Sequence, residues 1–184
     1  MKPAARSDGW TYEDYLGFPD DGKRYEILEG EKVVTPAPVP RHQIVLARIY
    51  DALKAFAEEQ DLGSVLFAPI DVLLAENTVV QPDLLFIAKD RASIIGDRAI
   101  TEAPDLVIEI HSPATHKLDH VTKRRIYAVH GVREYWIVDP DLEKVEVFVL
   151  ERGTLEKRAE VTEGAVGSFA VLPGLRIPCP KIFA

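Results

Sequence analysis

Asp83 stands at the mouth of one apolar run, VVQPDLLFIA, and Glu109 sits inside a second, PDLVIEIHSP, twenty-six residues further on. Runs that are apolar on both faces read as strands covered on both sides, where an ionised carboxylate is costly unless it is paired or binds a metal. Either group alone is equally well read as a solvated or arginine-paired strand end. Brought together on neighbouring strands, the two make a site for a hard cation. Alternation puts Asp105, Val107, Glu109 and His111 on one face of the second strand and Leu106, Ile108 and Ile110 on the other. In the first, Asp83 shares its face with Gln81, Leu85 and Ile87, and Pro82 suits a strand's beginning.

A cation is available on the segment that follows. At helical spacing Lys123 lies on a face with Asp119, His120, Tyr127 and His130, while Val121, Ile126 and Val129 form an opposite stripe that suffices to dock the helix. That leaves the Lys123 face either solvated or folded over the end of the Glu109 strand. A zinc hydrolase built on His116 and His120 is the competing chemistry, but HKLDH lacks the glutamate of HExxH.

These residues need a scaffold, and the punctuation of the chain supplies one. Thr11 and Asp14 start a short helix over about 11–18, and RYEILEGEKVV reads as a hairpin turning at Glu29-Gly30. TPAPVP (35–40) is a connector that cannot join a sheet, and a long helix opens at Pro40. It carries Ile44, Val45, Ile49, Ala52, Leu53 and Phe56 on one stripe and stops before Gly63. Strands are predicted at about 65–68, 70–74, 79–88 and 105–111, then, after Ser112-Pro113, a helix from 118 to 130 stopped by Gly131. The hairpin EYWIVDPDLEKVEVFVL follows, with a short strand near 156–162 and a proline-rich edge or tail, VLPGLRIPCP. The sum is an α/β (α+β mixed) domain over 1–184, with its core at about 23–150 and a C-terminal strand and tail at about 155–184. A central mixed sheet is flanked by helices.

At 184 residues the chain is long enough to bury a core without disulfides, and its single Cys179 excludes an internal disulfide and a cysteine-rich zinc site. No signal-peptide pattern opens it and no apolar run reaches the ~20 residues of a membrane helix, so a cytoplasmic protein is expected. A net charge of −8 argues against non-specific coating of nucleic acid but is compatible with acids gathered around a metal. Lys117, Lys123, Arg124 and Arg125 concentrate positive charge locally.

Pro82-Asp83, APDLVIEIHSPAT (103–115), Lys123, Tyr127 and GVREYWIVDP (131–140) together resemble the Uma2 family, once called DUF820, within the PD-(D/E)XK nuclease superfamily. The resemblance runs from YEILEGE and His42 to PGLRIP. It implies a restriction-endonuclease-like core and metal-dependent endonuclease activity on nucleic acid, DNA in the first instance. Asp83 and Glu109 would hold Mg²⁺ or Mn²⁺, with Glu26 and His42 at the rim. The superfamily's strand lysine, two residues after the acid, is here His111. Lys123 is the expected substitute, so Asp83, Glu109, Lys123 and Glu26 form the candidate catalytic set, with Gln81, His42, His111 and Tyr127 around substrate or ligands. On this reading Lys123→Ala abolishes cleavage and leaves folding nearly intact. A non-catalytic nucleic-acid-binding or structural module on the same fold is the alternative. The apolar 134–150 hairpin suggests a homodimer.

Overall fold

The structure is a computed structural model that describes residues 9–111 and 116–184. The N-terminal helix α1 (Tyr12–Tyr15) is short and closed by a capping box, with the Asp14 carboxylate accepting from the Thr11 N–H at 3.1 Å. Strands β1 (Arg24–Leu28) and β2 (Glu31–Thr35) form the expected hairpin. Its two-residue turn has positive φ at Glu29 (51°) and at Gly30 (85°), the type I′ geometry that favours glycine. Helix α2 (Pro40–Glu59) buries His42, Val45, Leu46, Ile49, Leu53 and Ala57, whereas Ile44 of the expected stripe lies in solvent.

Strands β3 (Gly63–Phe67) and β4 (Val72–Ala75) match the sequence reading closely. The predicted 79–88 strand does not persist as one element: β5 (Thr78–Val80) and β6 (Leu84–Ala88) enter different sheets. The Pro82 ring cannot donate a ladder hydrogen bond, so the chain breaks at Gln81-Pro82-Asp83 and changes sheet there. Strand β7 (Leu106–Ile110) is followed by a π-helical turn, Leu118–Lys123, and by α3 (Arg124–Val129). The Ser112-Pro113 break expected between them lies outside the described residues. Strands β8 (Glu134–Asp139), β9 (Lys144–Glu151) and β10 (Thr154–Val161) complete the main sheet. Strands β11 (Ala165–Gly167) and β12 (Arg176–Pro178) then pair with each other, and α4 (Cys179–Phe183) follows.

The main sheet runs β10-β9-β8-β7-β6-β3 and is antiparallel except for the β7–β8 pair. A smaller antiparallel sheet runs β2-β1-β5-β4. Leu106, Ile108 and Ile110 join one apolar layer with α2, α4 and the 165–177 segment; Val107 joins the other, with Ile126 and Tyr127 of α3 and Leu28, Val72 and Val80 of the small sheet. The two-faced reading of β7 thus holds, and Glu109 belongs to the α3 side.

Two expectations fail. Val121 and Val129 are exposed, while Asp119, Lys123, Ile126 and Tyr127 are buried, so the polar face of this helix is the one that docks. The wider π-helical turn shifts the register within the segment, and buried acids waiting over β7 give Lys123 a reason to be inside. The 134–150 hairpin offers no apolar face to a partner: β8 lies between β7 and β9, its residues are all buried, and β10 covers the β9 edge.

Candidate functional site

The strand register brings the two carboxylates together. β6 pairs antiparallel with β7 through Leu84 opposite Ile108, so Asp83, one residue before β6, lands beside the end of β7. The Ile110 N–H donates to Asp83 Oδ2 at 2.9 Å. His42 Nε2, from the first turn of α2, lies 3.1 Å from the same oxygen, and Arg24 Nη1, from β1, donates to Asp83 Oδ1 at 2.9 Å. Burial pushes this carboxyl up, but His42, Arg24 and the Ile110 amide outweigh it and hold Asp83 down at about 2.

Glu109 is held by the crossover helix. Lys123 Nζ reaches Glu109 Oε1 at 2.9 Å and Glu26 Oε1 at 2.9 Å, and the Tyr127 hydroxyl donates to Glu109 Oε1 at 2.7 Å. Glu26 accepts a further bond from the Gln81 N–H at 2.8 Å. Burial opposes the charge on Lys123, yet Glu109, Glu26 and Asp119 together keep it above the ordinary lysine range. Burial pushes Glu109 up to about 8; Lys123 resists that rise, and the negative charges of Asp83, Asp119 and Glu26 add to it. The two shifts describe one crowded cluster: Lys123 keeps its proton and its charge, and Glu109 is the carboxyl that holds a proton near neutrality.

These groups face a cavity of about 170 Å³ lined by Arg24, Glu26, Asp83, Glu109, Asp119 and Lys123, with His42 and His111 also on its wall. Pro36, Pro38 and Val39 of the connector supply an apolar side. Asp83, Glu109, Lys123, Glu26, His42 and His111 are therefore brought together, and Tyr127 contacts Glu109. Glu26 is 2% exposed and belongs to the interior, not the rim. Gln81, expected around substrate or ligands, takes the place behind the ligands. Its side-chain amide donates to Tyr15 Oη at 2.9 Å and to Asp71 Oδ1 at 2.8 Å, and its backbone bridges Glu26 and Arg24, so it braces the site.

His111 lies 3.2 Å from Asp139 through Nε2. Burial pulls its imidazole below the usual range despite Asp139, and His120 and His116 add to the fall. The zinc alternative finds no support: His120 uses one ring nitrogen on the His116 carbonyl at 3.0 Å and the other on Glu146 at 2.8 Å. Among the described residues no three His, Cys, Asp or Glu side chains converge as a metal cage.

The donor chemistry still suits a hard cation. Asp83 accepts three hydrogen bonds where an ionised carboxylate offers about four lone pairs. The bonds that Glu26 and Glu109 take from Gln81, Lys123 and Tyr127 fall on Oε1, and both residues line the cavity. One or two carboxylates with water and phosphate oxygens are what magnesium commonly takes from a protein.

Two residues of the site escaped the sequence reading, Arg24 and Asp119. Arg24 stood two positions before Glu26 on the same strand face, which is the signal that would have found it. A further mark is that Arg24 Nε, His42 Nδ1, Gln81 Oε1 and His111 Nδ1 are buried polar atoms with no hydrogen-bond partner among the described residues. Each such orphan costs ~1–3 kcal/mol, and their gathering in and beside one cavity is characteristic of a functional site.

Comparisons with known proteins bear on the family and the fold. A family model described as "Uma2: Putative restriction endonuclease" matches residues 12–180. A crystal structure of "a putative nuclease belonging to DUF820" from Anabaena variabilis is similar, with a TM-score of 0.79 and 19% identity over 95% of this chain and 97% of that one. At that identity the likeness shows a shared fold. A search of curated proteins gives no match. Among the described residues no helix is long and apolar enough to cross a membrane. With the family model matching almost the whole length, and with the PD and Glu109 strands, the crossover lysine and the buried acids in one cavity, the chain belongs to the Uma2 family.

Proposed function

We propose that residues 1–184 act as one metal-dependent endonuclease domain that hydrolyses phosphodiester bonds of nucleic acid, DNA first of all. The observation that carries the reading is the convergence of Asp83, Glu109, Glu26 and Lys123 from three separate elements and a strand end on one cavity. Asp83 and Glu109 are the ligands for Mg²⁺ or Mn²⁺, whose oxygen preference they match. Such an ion supplies polarisation of the phosphate and a bound water of lowered pKa. Lys123 orients the attacking water and offsets charge developing on the phosphoryl oxygens. Tyr127 fixes the Glu109 carboxyl, His42 fixes Asp83, and Glu26 anchors Lys123. His111, held by Asp139, borders the substrate space.

Calorimetric titration with Mg²⁺ or Mn²⁺ tests the ligand pair. Asp83→Ala and Glu109→Ala should each bind at least about tenfold more weakly, about 1.4 kcal/mol. Affinities equal to the parent's in both variants would remove the shared site. A non-catalytic binding module has one observation in its favour, because Arg24 and Lys123 already occupy an oxygen of each of the two carboxyl groups. A parent that binds DNA but leaves it intact with either ion would establish that module instead.

The single buried Cys179 suits the cytoplasm, where we place the activity. Self-association as a homodimer is expected from the prevalence of two-fold oligomers, through a surface other than the 134–150 hairpin. Light scattering at micromolar concentration should give twice the chain mass, and a monomer mass ends that idea.

A further inference from the structure

We propose that Arg24 is a substrate-binding residue that takes a phosphate oxygen of the nucleic-acid backbone; this rests on the nuclease reading of the site and adds to it the contact that seats the strand. Arg24 enters from β1, a strand of the small sheet, and reaches across to the end of β6 in the main sheet. Of the five N–H donors on a guanidinium, Asp83 Oδ1 takes one and the Gln81 carbonyl another. Nε is buried without a partner among the described residues, and the side chain lines the cavity while remaining 22% exposed. A charged fork that keeps unused donors beside an opening is suited to a planar or tetrahedral oxyanion.

The surroundings narrow what that oxyanion is. Glu26, Asp83, Glu109 and Asp119 also line the cavity, so any oxyanion entering it needs a cationic donor to seat it. A phosphodiester carries the same single charge per group as a carboxylate but adds sugar carbons, which the Pro36, Pro38 and Val39 wall accommodates. Lys123 is committed to Glu109 and Glu26 at 2.9 Å each, whereas Arg24 keeps donors to spare beside Asp83. The remaining lining cation, Arg41, is tied to Glu143, the Pro140 carbonyl and the Phe183 carbonyl. The predicted division of labour is that Arg24 seats the phosphate and Lys123 serves the reacting centre.

Fluorescence anisotropy of labelled duplex and single-stranded DNA oligonucleotides, over a salt series in EDTA and again in Ca²⁺, tests the assignment without relying on turnover. Arg24→Gln keeps a donor for the Gln81 carbonyl and removes the charge. It should weaken binding about tenfold at low salt and reduce the slope of log affinity against log salt by about one, the signature of one lost phosphate contact. An arginine that merely neutralised Asp83 would change the melting temperature and leave that slope alone. Arg24→Lys guards against a Gln variant that fails to fold. With the charge kept and the fork lost, it should show weaker binding at the parent's slope, and parent-like affinity in it overturns the proposal. A folded Arg24→Gln with the parent's affinity and slope also overturns it. A parent that binds no oligonucleotide under either condition takes down the nuclease reading itself.

Discussion

Lys123→Ala should cost the protein both its cleavage activity and a large part of its stability. The ammonium is 3% exposed and sits 2.9 Å from each of two buried glutamates. Removing one partner of a buried ion pair leaves uncompensated charge and typically costs about 3–5 kcal/mol. Folding would therefore not be spared, contrary to what a solvated or rim lysine would allow. Loss of a group that stabilises developing phosphoryl charge is expected to lower turnover about 10²–10³-fold. Urea denaturation measures the first effect, and a plasmid-cleavage assay at a temperature where the variant stays folded measures the second. Lys123→Arg separates them: it keeps the charge and should recover most of the stability, while its planar fork is a poor replacement for a compact ammonium aimed at water. His111→Ala should retain cleavage, because its imidazole is held below the usual range beside Asp139 and carries little charge at neutral pH. A Lys123→Ala protein as stable as the parent, or fully active, would defeat the assignment.

The reach of the sequence shows most clearly at this lysine. Its position after the Glu109 strand and its company of Asp119 and Tyr127 at helical spacing were legible. Which face of the helix goes inside was not, since amphipathic pattern assigns the apolar stripe to the core and here buried acids override it. The π-helical turn that permits this has no periodic signature. Alternation along β7 correctly divided Glu109 from Ile108 and Ile110, because period two survives whenever a strand is covered on both sides. The break at Pro82 was half visible: the proline marked a strand start, but apolar residues on both sides of it, Val79 and Val80 before and Leu84 after, masked the change of sheet. Arg24, though it shares a strand face with Glu26, was passed over for a different reason. An arginine at the edge of a hairpin reads as solvated, and only the stacking of the small sheet against the strand ends turns it inward. The self-association surface failed likewise, because hydrophobic content cannot say whether a hairpin is an edge or, with β10 beyond it, an interior pair.

The second large effect concerns pH. Glu109 in the folded protein is pushed up to about 8 from an ordinary value of 4.5, first by burial and then by the neighbouring acids against the pull of Lys123. Between those two values the folded state binds the proton that the unfolded state has released. Stability must then fall as pH rises through the window. Asp83 behaves in the opposite sense and elsewhere. Its folded value near 2 lies below the ordinary 3.8, so its contribution is complete above that value and is lost as pH falls towards 2. His111, lowered by burial, makes stability rise with pH up to its ordinary 6.5 and so partly hides the Glu109 effect in the parent. The difference between Glu109→Gln and the parent removes that overlap. A glutamine keeps an oxygen to accept from Lys123 and Tyr127 but has no proton to lose. Denaturant unfolding from pH 5 to 9 should show the variant gaining on the parent steadily up to pH 8 and holding a constant advantage above it. A gap that stays flat across this range would mean that Glu109 is ionised throughout and that Lys123 alone satisfies it.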